Sequence, residues 1–124
     1  MTAIHPWSDE FSVSSEVTDE NVVVTVTGEL DLYTAPRFRE ALVPLLVSGP
    51  PEVVIDLSGV DFIDSSGIGV MVGALKRLRV HGGRLTLRGV STTTRRALEL
   101  VGLTRFMNVE DADQTAVLGG AGKR

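Results

Sequence analysis

The sequence contains no cysteine, which removes disulfides, thiolate metal sites and cysteine nucleophiles at once. Aromatics are scarce, with one Trp, one Tyr and four Phe, so there is little on which nucleic-acid bases could stack. No apolar run approaches the roughly 18 residues that would read as a membrane-spanning helix. Lys and Arg are missing from the first 35 residues, which carry seven acids. The start therefore does not resemble a secretory signal, and a cytoplasmic location is the expectation.

What is present is the composition of an ordinary globular domain: 124 residues, 43% hydrophobic and 23% charged. That length suits one domain with a proper core. The net charge of −4 hides an asymmetry, because residues 76–105 carry eight bases and a single acid, Glu99. Such a stretch could be a nucleic-acid footprint. An acidic chain without interleaved aromatics is better served by a solvated helix face plus strand ends, so neither a nucleic-acid nor a membrane partner is expected.

Residues 1–10 read as a tail, 11–118 as one domain and 119–124, with three glycines, as a second tail. Residues 11–15 alternate weakly, as a short edge strand would. Residues 21–27 are rich in β-branched side chains and read as a strand, with a hairpin turn between the two and Gly28 as its end. Thr34 is a candidate N-cap for a helix that starts at Ala35-Pro36 and carries Phe38, Leu42, Leu45 and Leu46 at helical spacing. Pro44 should kink or loosen its last turn. After the break at Gly49-Pro50-Pro51, residues 53–57 read as a buried parallel strand, followed by a loop containing Phe62 and Ile63. Residues 66–80 form a helix with Ile68, Met71, Val72, Leu75 and Leu78 at 3-4 spacing, closed by Gly82-Gly83. A strand at 85–87, a helix capped by Ser91 and stopping at Gly102, a strand at 106–109 and a short helix at 112–118 complete the chain. A hairpin followed by helix–strand alternation predicts an α/β fold: a mixed, mostly parallel sheet of about five strands packed with about four helices.

The most informative passage runs from Asp56 to Gly73. Two acids, Asp61 and Asp64, adjoin two hydroxyls, Ser65 and Ser66, and Gly67, Gly69 and Gly73 line the first turns of the next helix. Each glycine costs about 1 kcal/mol relative to Ala in a helix interior. Close backbone approach, to the sheet or to a partner, is the reason expected. Three chemistries compete. A dinucleotide site would need a glycine at Val72 and an acid some 20 residues on, where Arg84 and Arg88 stand instead. A hydrolase elbow would need glycines two residues either side of the serine and a nearby base. His5 lies in the tail, and His81 sits at the far end of the helix, about 20 Å away. The third is a phosphorylation switch on an exposed serine at a helix N-terminus, where a phosphate adds roughly −1.5 to −2 charges beside two carboxylates.

The run Asp61-Phe62-Ile63-Asp64-Ser65-Ser66-Gly67-Ile68-Gly69 resembles the signature of STAS domains, specifically the bacterial anti-sigma-factor antagonists. Thr27-Gly28-Glu29-Leu30-Asp31, followed by Thr34-Ala35, resembles that family's turn after the second strand. The resemblance implies a single STAS-like domain that binds an anti-sigma factor of the GHKL serine-kinase type and so frees a sigma factor. It implies Ser66 as the phosphoacceptor, a PP2C-type phosphatase that reverses the switch, and ATP bound by the partner. It also implies a partner surface formed by Gly28, Glu29, Asp31, Thr34, Asp64, Ser65, Ser66, Gly67 and Ile68, with Asp31 the acid nearest Ser66. No enzymatic activity, cofactor or metal is expected of the chain itself, and a monomer is expected when it is free. A STAS scaffold in another signalling or transport complex, or a nucleotide-binding module on the same glycine-rich loop, is the alternative.

Overall fold

The computed structural model describes residues 11–19 and 21–112. Strands β1 (Ser12–Thr18) and β2 (Asn21–Leu30) form the antiparallel hairpin. Helix α1 (Ala35–Leu46), strand β3 (Glu52–Ile63), helix α2 (Ser65–Val80), strand β4 (Arg84–Val90), helix α3 (Thr92–Leu100), a single 3₁₀ turn (Leu103–Arg105) and strand β5 (Asn108–Asp111) follow. The strands pair in chain order, β1 to β5, and β2 through β5 are parallel.

Alternation along β2 buries Val22, Val24, Val26 and Leu30, and the register sets Val53 and Ile55 of β3, then Leu85 and Leu87 of β4, beside them. Phe38 and Leu42 of α1, Met71 and Leu78 of α2 and Leu98 of α3 close onto that same face as one core. The three helices therefore share one side of the sheet, as successive right-handed crossovers in one direction require. All three start at the end where β2 to β5 finish, and all three finish at the opposite end.

Several boundaries differ from the sequence expectation. Gly28 does not end β2: it sits at φ +100° within the strand, at a register shift against β3. The segment after Leu57 is strand as far as Ile63, not loop. Ser58, Gly59 and Asp61 have poor strand propensity, yet this half of β3 gains its order from β2, with Glu29 opposite Phe62 and Leu30 opposite Ile63. Its pairing with β4 ends at Asp56, so one edge is unpaired by β4 and accommodates the register shifts. Pro44 stands inside α1, whose last residue Leu46 is buried. The buried face of α2 is Gly67, Val70, Met71, Ala74, Leu75 and Leu78, leaving Ile68 and Val72 half-buried. The last strand begins at Asn108 rather than 106, because the Phe106 N–H closes the 3₁₀ turn onto the Leu103 carbonyl. Among the described residues there are three α-helices, not four. The fourth, expected at 112–118, lies outside the described residues beyond Ala112.

Candidate functional site

The two motifs singled out in the sequence meet where β2 and β3 end. The Asp64 N–H donates to the Leu30 carbonyl at 3.0 Å, stitching the start of α2 to the turn after β2. Gly67 makes the closeness possible. A Cβ there would lie 2.9 Å from Leu30 Cβ and 3.3 Å from Ile63 Cγ2, so only a bare backbone lets the first turn of α2 settle on these side chains.

Asp64 is the N-cap of α2, and its Oδ1 accepts the Ser66 N–H at 2.8 Å. The helix consequently starts at Ser65, one residue earlier than expected, and the cap is a carboxylate rather than a serine hydroxyl. Ser65 is exposed and Ser66 half-exposed, and among the described residues neither hydroxyl makes a hydrogen bond. A nucleophile in a hydrolase would need a base within hydrogen-bond reach. His81 instead caps the far end of α2, donating its N–H to the Leu78 carbonyl, and His5 lies outside the described residues. The Asp64 carboxylate also occupies the helix N-terminal position where a nucleotide phosphate would bind in a dinucleotide fold. Gly69 and Gly73 help to line a small groove of about 100 Å³ between α1 and α2. No cluster of metal-ligating side chains occurs among the described residues, and no described helix is long and apolar enough to cross a membrane.

The turn after β2 is held by its own side chains. Asp31 Oδ1 accepts the N–H groups of Tyr33 (2.9 Å) and Thr34 (3.0 Å). Thr34 Oγ1 donates to the Glu29 carbonyl at 2.6 Å and accepts the Asp31 N–H at 2.9 Å. Thr34 is thus buried and does not cap α1 with its side chain, since its hydroxyl is committed to the turn. The Asp31 carboxylate is likewise committed, and the acid bonded to Ser66 is Asp64. Of the residues expected at the partner surface, Gly28, Thr34 and Gly67 are buried and shape the surface from beneath, while Glu29, Asp31, Asp64, Ser66 and Ile68 are half-buried and Ser65 is exposed.

Sequence reasoning missed the apolar rim. Leu32 is 67%, Tyr33 74% and Phe62 50% exposed, all at this end of the sheet. Large apolar side chains held out to solvent by a turn bonded from within are the kind of surface a partner could cover. The legible signal was two bulky apolar residues, Leu32 and Tyr33, inside a turn, where polar residues are the rule. Gly69 and Gly73 add a second feature, because a Cβ at either would meet nothing within 4 Å. Packing within the described chain therefore does not require them to be glycine.

The basic stretch is partly neutralised elsewhere. Arg95 pairs with Asp111 and Glu99, and the Asp111 hydrogen bond raises its pKa above the ordinary arginine value. Arg88 pairs with Glu110 at 3.5 Å.

A family model for the STAS domain matches residues 12–116. An anti-sigma-B factor antagonist of Staphylococcus epidermidis is 38% identical over 96 residues, covering 77% of this chain and 89% of that protein. The crystal structure of an anti-sigma factor antagonist from Mycobacterium paratuberculosis superposes with a TM-score of 0.70 at 33% identity, covering 82% of this chain and 86% of the other. The Bacillus cell fate determinant SpoIIAA, solved in its phosphorylated form, gives a TM-score of 0.65 at 27% identity, with 86% of this chain and 96% of the other covered.

Proposed function

The chain belongs to the STAS-domain family of anti-sigma-factor antagonists, and from that premise we propose that it is a phosphorylation-controlled binding protein. Its unphosphorylated form binds an anti-sigma factor that is also a GHKL-type serine kinase, and so releases a sigma factor. The kinase, using its own ATP, phosphorylates Ser66 and ends the complex, and a PP2C-type phosphatase restores it. The chain is the substrate of that kinase, not a catalyst.

The observation that carries this reading is the half-exposed Ser66 at the capped start of α2, beside the apolar rim of Leu32, Tyr33 and Phe62. The rim supplies contact area at the same end of the sheet as the serine. A phosphate would bring roughly −1.5 to −2 charges to a surface that already holds Asp61 and Asp64. The α2 N-terminus tolerates such charge, so the fold survives while a closely fitted partner meets repulsion and a bulkier group. The solved phosphorylated form of the SpoIIAA neighbour supports the same reading.

The test is to incubate the protein with its co-purified kinase and ATP, then map phosphate by mass spectrometry. Wild type is expected to carry phosphate on Ser66, and Ser66→Ala to bind the kinase yet incorporate none. Phosphate on Ser65 or on a threonine in that variant would overturn the assignment. Failure of either form to retain a kinase would leave constitutive scaffolding as the function.

A further inference from the structure

The end of the molecule opposite Ser66 carries features that the switch does not use. All three helices finish there, and the residues at their ends are exposed aliphatics: Val47 (77%), Val80 (79%) and Leu100 (87%). Between the end of α2, the start of β4 and the 3₁₀ turn lies an open cleft of about 460 Å³ whose side walls include Arg79, Arg84, Arg105 and Phe106. No acidic side chain is among its described lining residues.

These arginines differ from those that hold the fold. Arg88 and Arg95 have carboxylate partners that tie β4 and α3 to β5. Arg84 reaches Glu52 only at 3.7 Å and its side chain is 70% exposed, so that pair is loose and solvent-screened. Arg105 has no ion-pair partner among the described residues. Arg79 lies over the Phe106 ring, 5.0 Å from its centroid, a contact that orients the guanidinium without neutralising it. Two carbonyls at the end of α2 have backbone partners, Leu78 O accepting from His81 and Gly83 and Arg79 O from Gly82. The arginines are not needed as caps on those two.

We propose that this cleft is a second docking surface that takes an acidic, extended segment of another protein, with carboxylates on Arg79, Arg84 and Arg105 and an apolar side chain against Phe106. Guanidinium forks suit carboxylates, and the half-exposed Phe106 offers a single apolar anchor. The chain's net charge of −4 disfavours a nucleic-acid backbone. Ser66 and Arg79 are separated by thirteen residues of one helix, about 20 Å at 1.5 Å per residue. The two surfaces can therefore be occupied together, and the chain can bridge a switched partner and an unswitched one.

The probe is a short synthetic peptide of alternating glutamate and phenylalanine, titrated into the full isotope-labelled chain and followed by amide chemical shifts. Shifts are expected to cluster at residues 82–85 and 104–108, to leave 61–69 unmoved, and to be unchanged in Ser66→Asp. The glutamine counterpart of the peptide is expected to bind at least tenfold more weakly. Arg79→Glu with Arg105→Glu should weaken the glutamate peptide about tenfold, two screened charge contacts being lost. If that double variant melts early, Arg84→Gln and Phe106→Ala are measured in its place. Absence of shifts in the cleft, equal binding of the glutamine peptide, or shifts in the cleft produced by phosphatidylserine vesicles but not by the peptide would each overturn the proposal.

Discussion

Gly67 and Gly69 stand two residues apart on α2 with opposite surroundings. Gly67 is buried where a methyl group would press on Leu30, while Gly69 faces open space. Gly67→Ala is therefore expected to cost about 1–3 kcal/mol through overpacking. Gly69→Ala should stabilise by up to about 1 kcal/mol, through helix propensity and a less flexible unfolded chain. Chemical denaturation of the two variants checks the pair, and equal shifts in both would contradict the packing. If the partner approaches over Gly69, the more stable Gly69→Ala will also bind it less well, a combination that a purely structural glycine cannot give. From sequence alone the glycines were conspicuous but not separable, since helical spacing does not say which one faces the sheet until the phase of the helix is fixed. Met71, Leu75 and Leu78 are buried as their spacing implies, Val70 and Ala74 join them, and Val72 is only half-buried.

At the scale of the element, β3 and α2 act as one device. The strand delivers Phe62 and Ile63 to the site, and Asp64 turns the chain into the helix by capping it. Asp64→Ala removes the acceptor for the Ser66 N–H and is expected to cost about 1 kcal/mol of stability. It should also loosen the first turn, so hydrogen exchange at residues 65–67 should quicken more than at 71–78. Uniform exchange throughout α2 would show that the cap is not what orders the site. The helix cores, the hairpin and the Ser91 cap were legible because each depends on local pattern; Ser91 Oγ does accept the Thr94 N–H. The second half of β3 was not legible, because its order comes from pairing with β2, some thirty residues earlier in the chain. The apolar rim escaped for a related reason: a turn bonded by Asp31 and Thr34 looks polar in sequence, while its product is to hold Leu32 and Tyr33 outward.

Across the whole molecule, charge and apolar exposure are divided between two ends. Where β2 to β5 finish, Glu29, Asp31, Asp61 and Asp64 surround the serines and the apolar rim. Where the helices finish, arginines and exposed aliphatics predominate. The division is partial: Glu29 and Asp31 reach the serine end, while Asp19 in the hairpin turn borders Gly49 and His81 where the helices finish, and Arg88 and Arg95 are held by Glu110 and Asp111. A partner with a basic, apolar face is suited to the serine end, and association there should slow as salt is raised. Added negative charge at Ser66 acts on that end alone.

The decisive comparison is between unphosphorylated and Ser66-phosphorylated protein, each titrated by calorimetry against the anti-sigma factor kinase that the wild type retains. The fold is expected to be intact in both and the affinity at least a hundredfold lower for the phosphorylated form, about 2.8 kcal/mol at tenfold per 1.4 kcal/mol. Equal affinities with both forms folded would contradict this, because the loop of Asp64, Ser65 and Ser66 would then be an interface element without a switch.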